Sequence, residues 1–259
     1  KYGGNAMVDE ELTTKILQDV TLLKYVGVNP ILVHGGGPDI NAALSKMGVE
    51  SKFHNGLRIT DKATMEVVQM VLAGKLNKNI VSALGSLGGK AIGLCGKDAG
   101  LLTVEKKPAK DGVDLGYVGN IVSVNVKLLE LLAHDEYIPV IAPVGVDDEG
   151  HTYNINADAV AGAVAGALRA RRLIMLTDVA GVLDPEGKLI QSIRVEDAAG
   201  LYENGTVTGG MIPKLNCCID AIEQGVEKVM IVDGRVENCV LLELLTDQGV
   251  GTEIVGEER

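Results

Sequence analysis

A histidine followed by three glycines, His34-Gly35-Gly36-Gly37, stands between the apolar run Ile31-Leu32-Val33 and the segment Pro38-Asp39-Ile40. That order reads as a buried strand, a glycine turn and a helix start, since proline suits the first helical turn. Such a turn aims backbone N–H groups at an anion, because no Cβ keeps an oxyanion away from the chain. A merely tight turn would use glycine too. Gly3-Gly4, after Lys1, forms a second strand-to-helix turn, and two such turns at one edge of a parallel sheet make a natural ligand site. Further along, Thr177-Asp178-Val179-Ala180-Gly181-Val182-Leu183 follows a strand, and Thr208-Gly209-Gly210-Met211-Ile212-Pro213-Lys214 opens a helix with a lysine near its start. Lysines and backbone amides are what phosphoryl transfer asks for: it needs positioning and positive charge rather than a protein nucleophile.

Other chemistries find less support. The glycine run lacks the third glycine of GxGxxG, because Ile40 holds that place, and no GxxxxGK[ST] occurs. Cys95, Cys217, Cys218 and Cys239 form no CxxC pair, so buried thiols are expected rather than a disulfide framework. His34, His54, His134 and His151 show no metal-ligand spacing, and no protein-held metal is expected.

The elements that must position these residues alternate along the chain, which points to an α/β fold with a largely parallel open sheet sandwiched by helices. Strands are expected at Pro30–Val33, Ala91–Leu94, Ile138–Pro143, Leu173–Thr177 and Lys228–Val232. Helices are expected at Glu10–Val26, Asp39–Met47, Asp61–Ala73, Val126–Ala133, Ala157–Leu168, Arg194–Leu201 and Met211–Gln224. Two stretches read as hairpins: Glu50–Thr60 around Asn55-Gly56, a candidate lid, and Leu115–Ser123 around Gly119-Asn120. Ala170-Arg171-Arg172 reads as a hinge between an N-terminal lobe, 1–170, and a C-terminal lobe, 171–259, of a single domain.

With 259 residues, 46% of them hydrophobic, the chain can bury a sizeable core. A net charge of −11 and 3% aromatic residues argue against a nucleic-acid surface, which draws on cationic and stacking side chains. Ala157–Leu168 is too short to cross a bilayer and is interrupted by Asp158, so no membrane partner and a cytoplasmic location are expected.

Taken in order, Lys1-Tyr2-Gly3-Gly4-Asn5-Ala6-Met7, Val33–Pro38, Asn55-Gly56-Leu57-Arg58-Ile59-Thr60, Tyr153-Asn154-Ile155-Asn156-Ala157-Asp158 and Gly209–Lys214 resemble the amino-acid kinase family, across essentially the whole chain. The resemblance implies ATP-dependent phosphorylation of the γ-carboxylate of N-acetyl-L-glutamate on the way to arginine, with Mg2+ carried on the phosphates. It implies that Lys1 and Lys214 stabilise the transferring phosphoryl group and that Asp158 holds both lysines. Gly36, Gly37, Arg58 and Asn154 would bind the acylated amino acid, and Gly3, Gly4 and Gly35 would lie nearer the phosphoryl group. Asp178, Val179, Ala180, Gly181, Leu183, Thr206, Gly209, Gly210 and Met211 would surround ATP. Read without the family, Arg58 is equally a solvated hairpin charge, and Asp158 a cap for the Ala-rich helix.

The resemblance further implies a homodimer or a hexameric trimer of dimers. Arginine-inhibited relatives carry an additional N-terminal helix, and Val240–Thr246 with Gly249–Thr252 resemble their tail, so arginine is a candidate effector. Two alternatives stay open: another amino-acid or carbamate kinase of the same fold, or a non-catalytic arginine-sensing or assembly subunit.

Overall fold

Alternating apolar runs become parallel strands covered by helices, the α/β arrangement that the sequence pattern favours. The computed structural model describes residues 1–3, 7, 9–109, 111–246 and 249–256. Cα packing groups the chain into two compact units: Gly27–Val160, and Lys1–Val26 together with Ala161–Arg259.

In Gly27–Val160, three parallel strands run in the order Leu32–Val33, Ile138–Ala142, Ala91–Cys95. Every residue of the central strand is buried, as its unbroken apolar sequence requires. Pro139 is tolerated there because alternate residues bond to opposite neighbours. Ile138 N donates to Lys90 O and Ile141 O accepts from His34 N, so the missing donor faces the short strand ahead of its first pair, Leu32 with Val140. A second sheet, in the order Gly119–Val124, Leu102–Lys106, Val144–Val146, Thr152–Asn154, mixes antiparallel and parallel pairs.

Here one expectation is corrected. Gly119-Asn120 is no turn; both residues lie in a strand, opposite Lys106 and Glu105. A Cβ on Gly119 would come within 3.0 Å of Tyr153 Cβ, so this glycine serves close packing rather than chain reversal.

The hairpin Phe53–His54/Leu57–Arg58 forms as expected, with Asn55 and Gly56 at φ of 48° and 77°, as a two-residue turn demands. The helix after it starts on an Asp61 cap that accepts from Thr64 N at 2.7 Å. It does not stop at Ala73: Lys62–Gln69 passes through a π-helical segment, Met70–Leu76, into a further α-helix, Asn77–Ser86. Its apolar face, with Met65, Val68, Val71 and Leu72, packs against Ile40, Leu44 and Ala142 in one core cluster.

In the other unit, strands run in the order Arg172–Thr177, Lys228–Asp233, Thr252–Val255, Ser192–Arg194; only the middle pair is antiparallel. Helices Glu10–Tyr25, Ala198–Glu203, Met211–Glu223 and Cys239–Leu245 belong to it. The division differs from a split at Ala170–Arg172. It passes inside the helix Ala157–Ala167, and Lys1–Val26 joins the C-terminal part. Hydrogen bonding gives the reason: Leu176 N donates to Lys1 O at 3.0 Å and Lys1 N to Ile174 O at 2.6 Å, the pattern of a parallel neighbour.

Among the described residues no helix is long and apolar enough to cross a membrane. Cys95, Cys218 and Cys239 are buried and Cys217 is half-buried.

Candidate active site

The glycine turn is built between the strand Leu32–Val33 and the helix Gly37–Lys46, which opens with Pro38 in its first turn. Gly36 is buried and Gly37 exposed. A Cβ on Gly36 would lie 2.5 Å from methyl groups of both Leu72 and Leu76, so the π-helical segment presses against the turn and a larger residue there would have to displace those side chains. Beneath it, His34 is fully buried, with Nδ1 2.8 Å from the Gly35 carbonyl and Nε2 3.3 Å from Asn77 Nδ2. Burial holds the His34 imidazole below its ordinary pKa, against the opposing pull of the Gly35 carbonyl, and so favours the neutral ring.

The hairpin brings Arg58 to the same turn. Its guanidinium donates to Ser51 Oγ, lies 3.4 Å from the Gly37 carbonyl, and stacks 4.7 Å from the Phe53 ring centre. Arg58 is 6% exposed, and burial lowers its pKa, yet an arginine keeps its charge under such a shift. The solvated-hairpin reading of Arg58 therefore does not describe this side chain.

Thr60 ties the hairpin base to the second sheet. Its hydroxyl donates to Arg58 O at 2.9 Å and accepts from Asn154 Nδ2 at 3.3 Å, while its carbonyl accepts from Tyr117 N at 2.7 Å. Gly37, Arg58, Thr60 and Asn154 thus form one hydrogen-bonded series within one unit. Asn156 caps the Ala-rich helix, with Oδ1 accepting from Asp158 N at 2.8 Å and Ala159 N at 3.3 Å. Capping therefore falls to Asn156, not to the Asp158 carboxylate.

The other unit carries the remaining candidates. Lys1 lies beside the strand Arg172–Thr177 and leads to the buried Gly3; Gly4 lies outside the described residues. That strand ends at Thr177, and Asp178, Val179 and Ala180 follow as exposed loop residues. Gly181 and Val182 are buried under Thr252, whose Oγ1 accepts from Val182 N at 2.8 Å; Leu183 is exposed. Thr206 donates its N–H to Asn204 Oδ1 at 2.9 Å, and Gly209 (φ 53°) and Gly210 lead into the helix starting at Met211, with Lys214 in its first turn. At the neighbouring strand end, Asp233 takes two Arg235 side-chain hydrogen bonds, at 2.8 and 2.7 Å. Those bonds hold the Asp233 carboxyl below its usual range, and Arg235 is raised in return, with Asp178 adding to the effect. Sequence reasoning passed over Arg235, which sits where ligands meet parallel strands.

The chain matches the amino acid kinase family over residues 1–233. It belongs to that family. Among other amino acid kinases, it is 57% identical to the acetylglutamate kinase of Nitratidesulfovibrio vulgaris (strain DP4), covering 99% of this chain and 86% of that protein. It is 55% identical to that of Geobacter sulfurreducens, covering 98% and 90%. Its fold is similar to the N-acetylglutamate synthase of Neisseria gonorrhoeae, solved with coenzyme A and N-acetyl-glutamate, at a TM-score of 0.89 and 26% identity; this covers the whole of this chain but 59% of the synthase. The same synthase has been solved with coenzyme A and L-arginine, at a TM-score of 0.84. Carbamate kinase from Giardia lamblia, at 16% identity and a TM-score of 0.72, shares the amino acid kinase fold over 99% of this chain.

Proposed function

We propose that this chain transfers the γ-phosphoryl group of ATP to the γ-carboxylate of N-acetyl-L-glutamate, giving N-acetyl-L-glutamyl 5-phosphate and ADP in arginine biosynthesis. The observation that carries the reading is the buried Arg58 held against the glycine turn and linked through Thr60 to Asn154, in a chain more than half identical to acetylglutamate kinases. A desolvated guanidinium with spare donors fits the α-carboxylate of the acceptor, which it would grip bidentately. Asn154 supplies an amide at the same end, and Gly36 and Gly37 offer backbone to the acyl-amino acid.

During transfer, the bond from the γ-phosphorus to its bridging oxygen breaks as an acceptor carboxylate oxygen bonds to that phosphorus. The Lys1 and Lys214 ammonium groups stabilise the charge on the transferring phosphoryl group as that bond breaks. Asp158 orients both lysines. Gly3, Gly4 and Gly35 offer N–H groups to the phosphoryl oxygens. Asp178 to Leu183 and Thr206 with Gly209, Gly210 and Met211 enclose the nucleotide. Magnesium would be carried on the phosphates of ATP, where it would neutralise part of their charge.

The test is ADP release with N-acetyl-L-glutamate, L-glutamate, L-aspartate and carbamate offered separately. Turnover with the acylated substrate is expected, and preference for any of the others overturns the reading. The arginine complex of the similar synthase supports arginine as an effector. Millimolar arginine added to the same assay should inhibit; unchanged rates remove that role. The assembly we propose is a homodimer or a trimer of dimers, and solution mass measurement decides between them.

A further inference from the structure

Under the glycine turn runs a buried polar chain whose parts are fixed by their partners. His34 and Asn77 are both 0% exposed. The Gly35 carbonyl can only accept, so His34 Nδ1, 2.8 Å away, carries the proton. In the neutral ring Nε2 is then an acceptor, matched by Asn77 Nδ2 at 3.3 Å. Asn77 cannot be turned the other way. Its Nδ2 faces the Val140 carbonyl at 2.9 Å and the Leu94 carbonyl at 3.4 Å, while its Oδ1 accepts from Lys78 Nζ at 3.1 Å. Space for this amide exists because residue 93 is glycine: a Cβ there would lie 1.9 Å from Asn77 Oδ1. Asn77 also begins the α-helix that follows the π-helical segment, whose Leu72 and Leu76 bear on Gly36.

We infer that Asn77 and His34 are a positioning pair: Asn77 holds His34 in the Nδ1–H tautomer, and that N–H holds the Gly35 carbonyl. In a planar trans peptide the carbonyl and the next N–H point in opposite directions. Tethering Gly35 O inward therefore aims Gly36 N–H outward, toward whatever the turn receives. This rests on the reading that the turn receives the acyl-amino acid, and neither residue touches that ligand. Without the tether the Gly35–Gly36 peptide can rotate, and the turn loses its aim.

Two substitutions of His34 separate aiming from filling. His34→Asn keeps a donor near the place of Nδ1 but gives up the bond to Asn77; His34→Gln keeps a group facing Asn77 but gives up the donor to Gly35. With the full chain, kcat, both KM values and the melting temperature are measured for each. The Gln variant should lose about 10–100-fold in kcat/KM for N-acetyl-L-glutamate, with the KM for ATP unchanged, and the Asn variant should recover most of that loss. Losses that instead follow the melting temperature, or a Gln variant more active than the Asn variant, overturn the inference.

Nitrogen NMR of the imidazole provides a second readout that needs no turnover. Wild-type His34 should be the neutral Nδ1–H tautomer, and Asn77→Asp, which offers Nε2 an acceptor in place of a donor, should draw the proton toward Nε2. A wild-type ring protonated on Nε2 overturns the inference. If the panel above finds a different acceptor, the proposed function falls, and the same variants assayed with that acceptor still decide the role of the pair.

Discussion

A buried arginine gives up hydration, and Arg58 replaces it with Ser51 Oγ, the Gly37 carbonyl and the face of Phe53. Arg58→Ala should raise the KM for the acylated amino acid roughly 10–100-fold, the equivalent of losing about 1.5–3 kcal/mol from a charged hydrogen bond. Arg58→Lys should restore little, since an ammonium cannot serve these partners and a carboxylate in one plane. A changed KM for ATP alone would place the residue elsewhere in the reaction. Lys214→Ala should instead lower kcat about 10²–10³-fold with little change in either KM, because its charge matters most in the transition state; an unaltered kcat removes it from the mechanism. Asp19 offers a test of stability. It is 1% exposed, its Oδ2 has no hydrogen-bond partner among the described residues, and burial raises its pKa despite bonds from the Val240 and Leu241 amides. The folded chain thus holds a proton that the unfolded chain releases first, so this group makes stability fall as pH rises through the usual carboxylate range to the raised value. Asp19→Asn should be more stable than the parent in urea at neutral pH, with the advantage shrinking toward about pH 4; equal stability at neutral pH would mean the burial is fully compensated. The glycine turn and the hairpin that carries Arg58 were legible from local pattern, whereas Arg58 itself, alone, read equally as a solvated charge, and only the order of the family's motifs singled it out. The roles of Asn77 and Thr60 were not legible, because an amide or hydroxyl in a sequence does not show which distant carbonyl it will meet.

At the scale of elements, two glycines set a contrast. A Cβ on Gly116 would lie 2.3 Å from the Thr60 carbonyl oxygen, on backbone already at φ 72°, whereas one on Gly36 meets only leucine methyl groups. Gly116→Ala should therefore cost about 2–4 kcal/mol, more than Gly36→Ala, whose loss should be partly recovered by adding Leu72→Ala. Chemical denaturation of the three variants checks the order, and equal losses would mean the backbone at Thr60 yields as easily as a side chain. The five expected strands form with ends displaced by no more than two residues, but the strands Leu102–Lys106, Val144–Val146, Thr152–Asn154, Ser192–Arg194 and Thr252–Val255 and the helix Cys239–Leu245 were too short to show a period, and the helix expected from Arg194 begins only at Ala198. The helix beyond Ala73 could not be read from periodicity, since a π-helical segment shifts the apolar face out of its 3.6-residue phase just where Gly74 suggests a stop. Gly119-Asn120 misled for a related reason: a glycine needed for close approach looks, in sequence, like one needed for a turn.

For the whole molecule, the α/β class followed from alternation, but the grouping of segments did not. A strand's pattern records that both faces are buried, not which strand lies beside it, so nothing in Lys1–Gly3 announces a pairing with Ile174 and Leu176. That pairing has a consequence in time. Synthesis delivers Lys1–Val26 ahead of Gly27–Val160, but its partners begin at Ala161, 161 − 26 = 135 residues after Val26. At ~5–20 residues per second, the helix Glu10–Tyr25 waits roughly 7–27 s for those partners with Ile16, Leu17, Val20 and Leu23 uncovered, while Gly27–Val160 can already close on itself. Ribosome-held chains ending at Val160 plus a tunnel-length linker should show a protease-resistant core from Gly27 onward and a readily cut N-terminal segment. Equal protection of both would mean that the helix Glu10–Tyr25 docks on a surface it later leaves. Until Ala161 and the residues after it emerge, the helix Glu10–Tyr25 rides as a passenger, open to capture by chaperones.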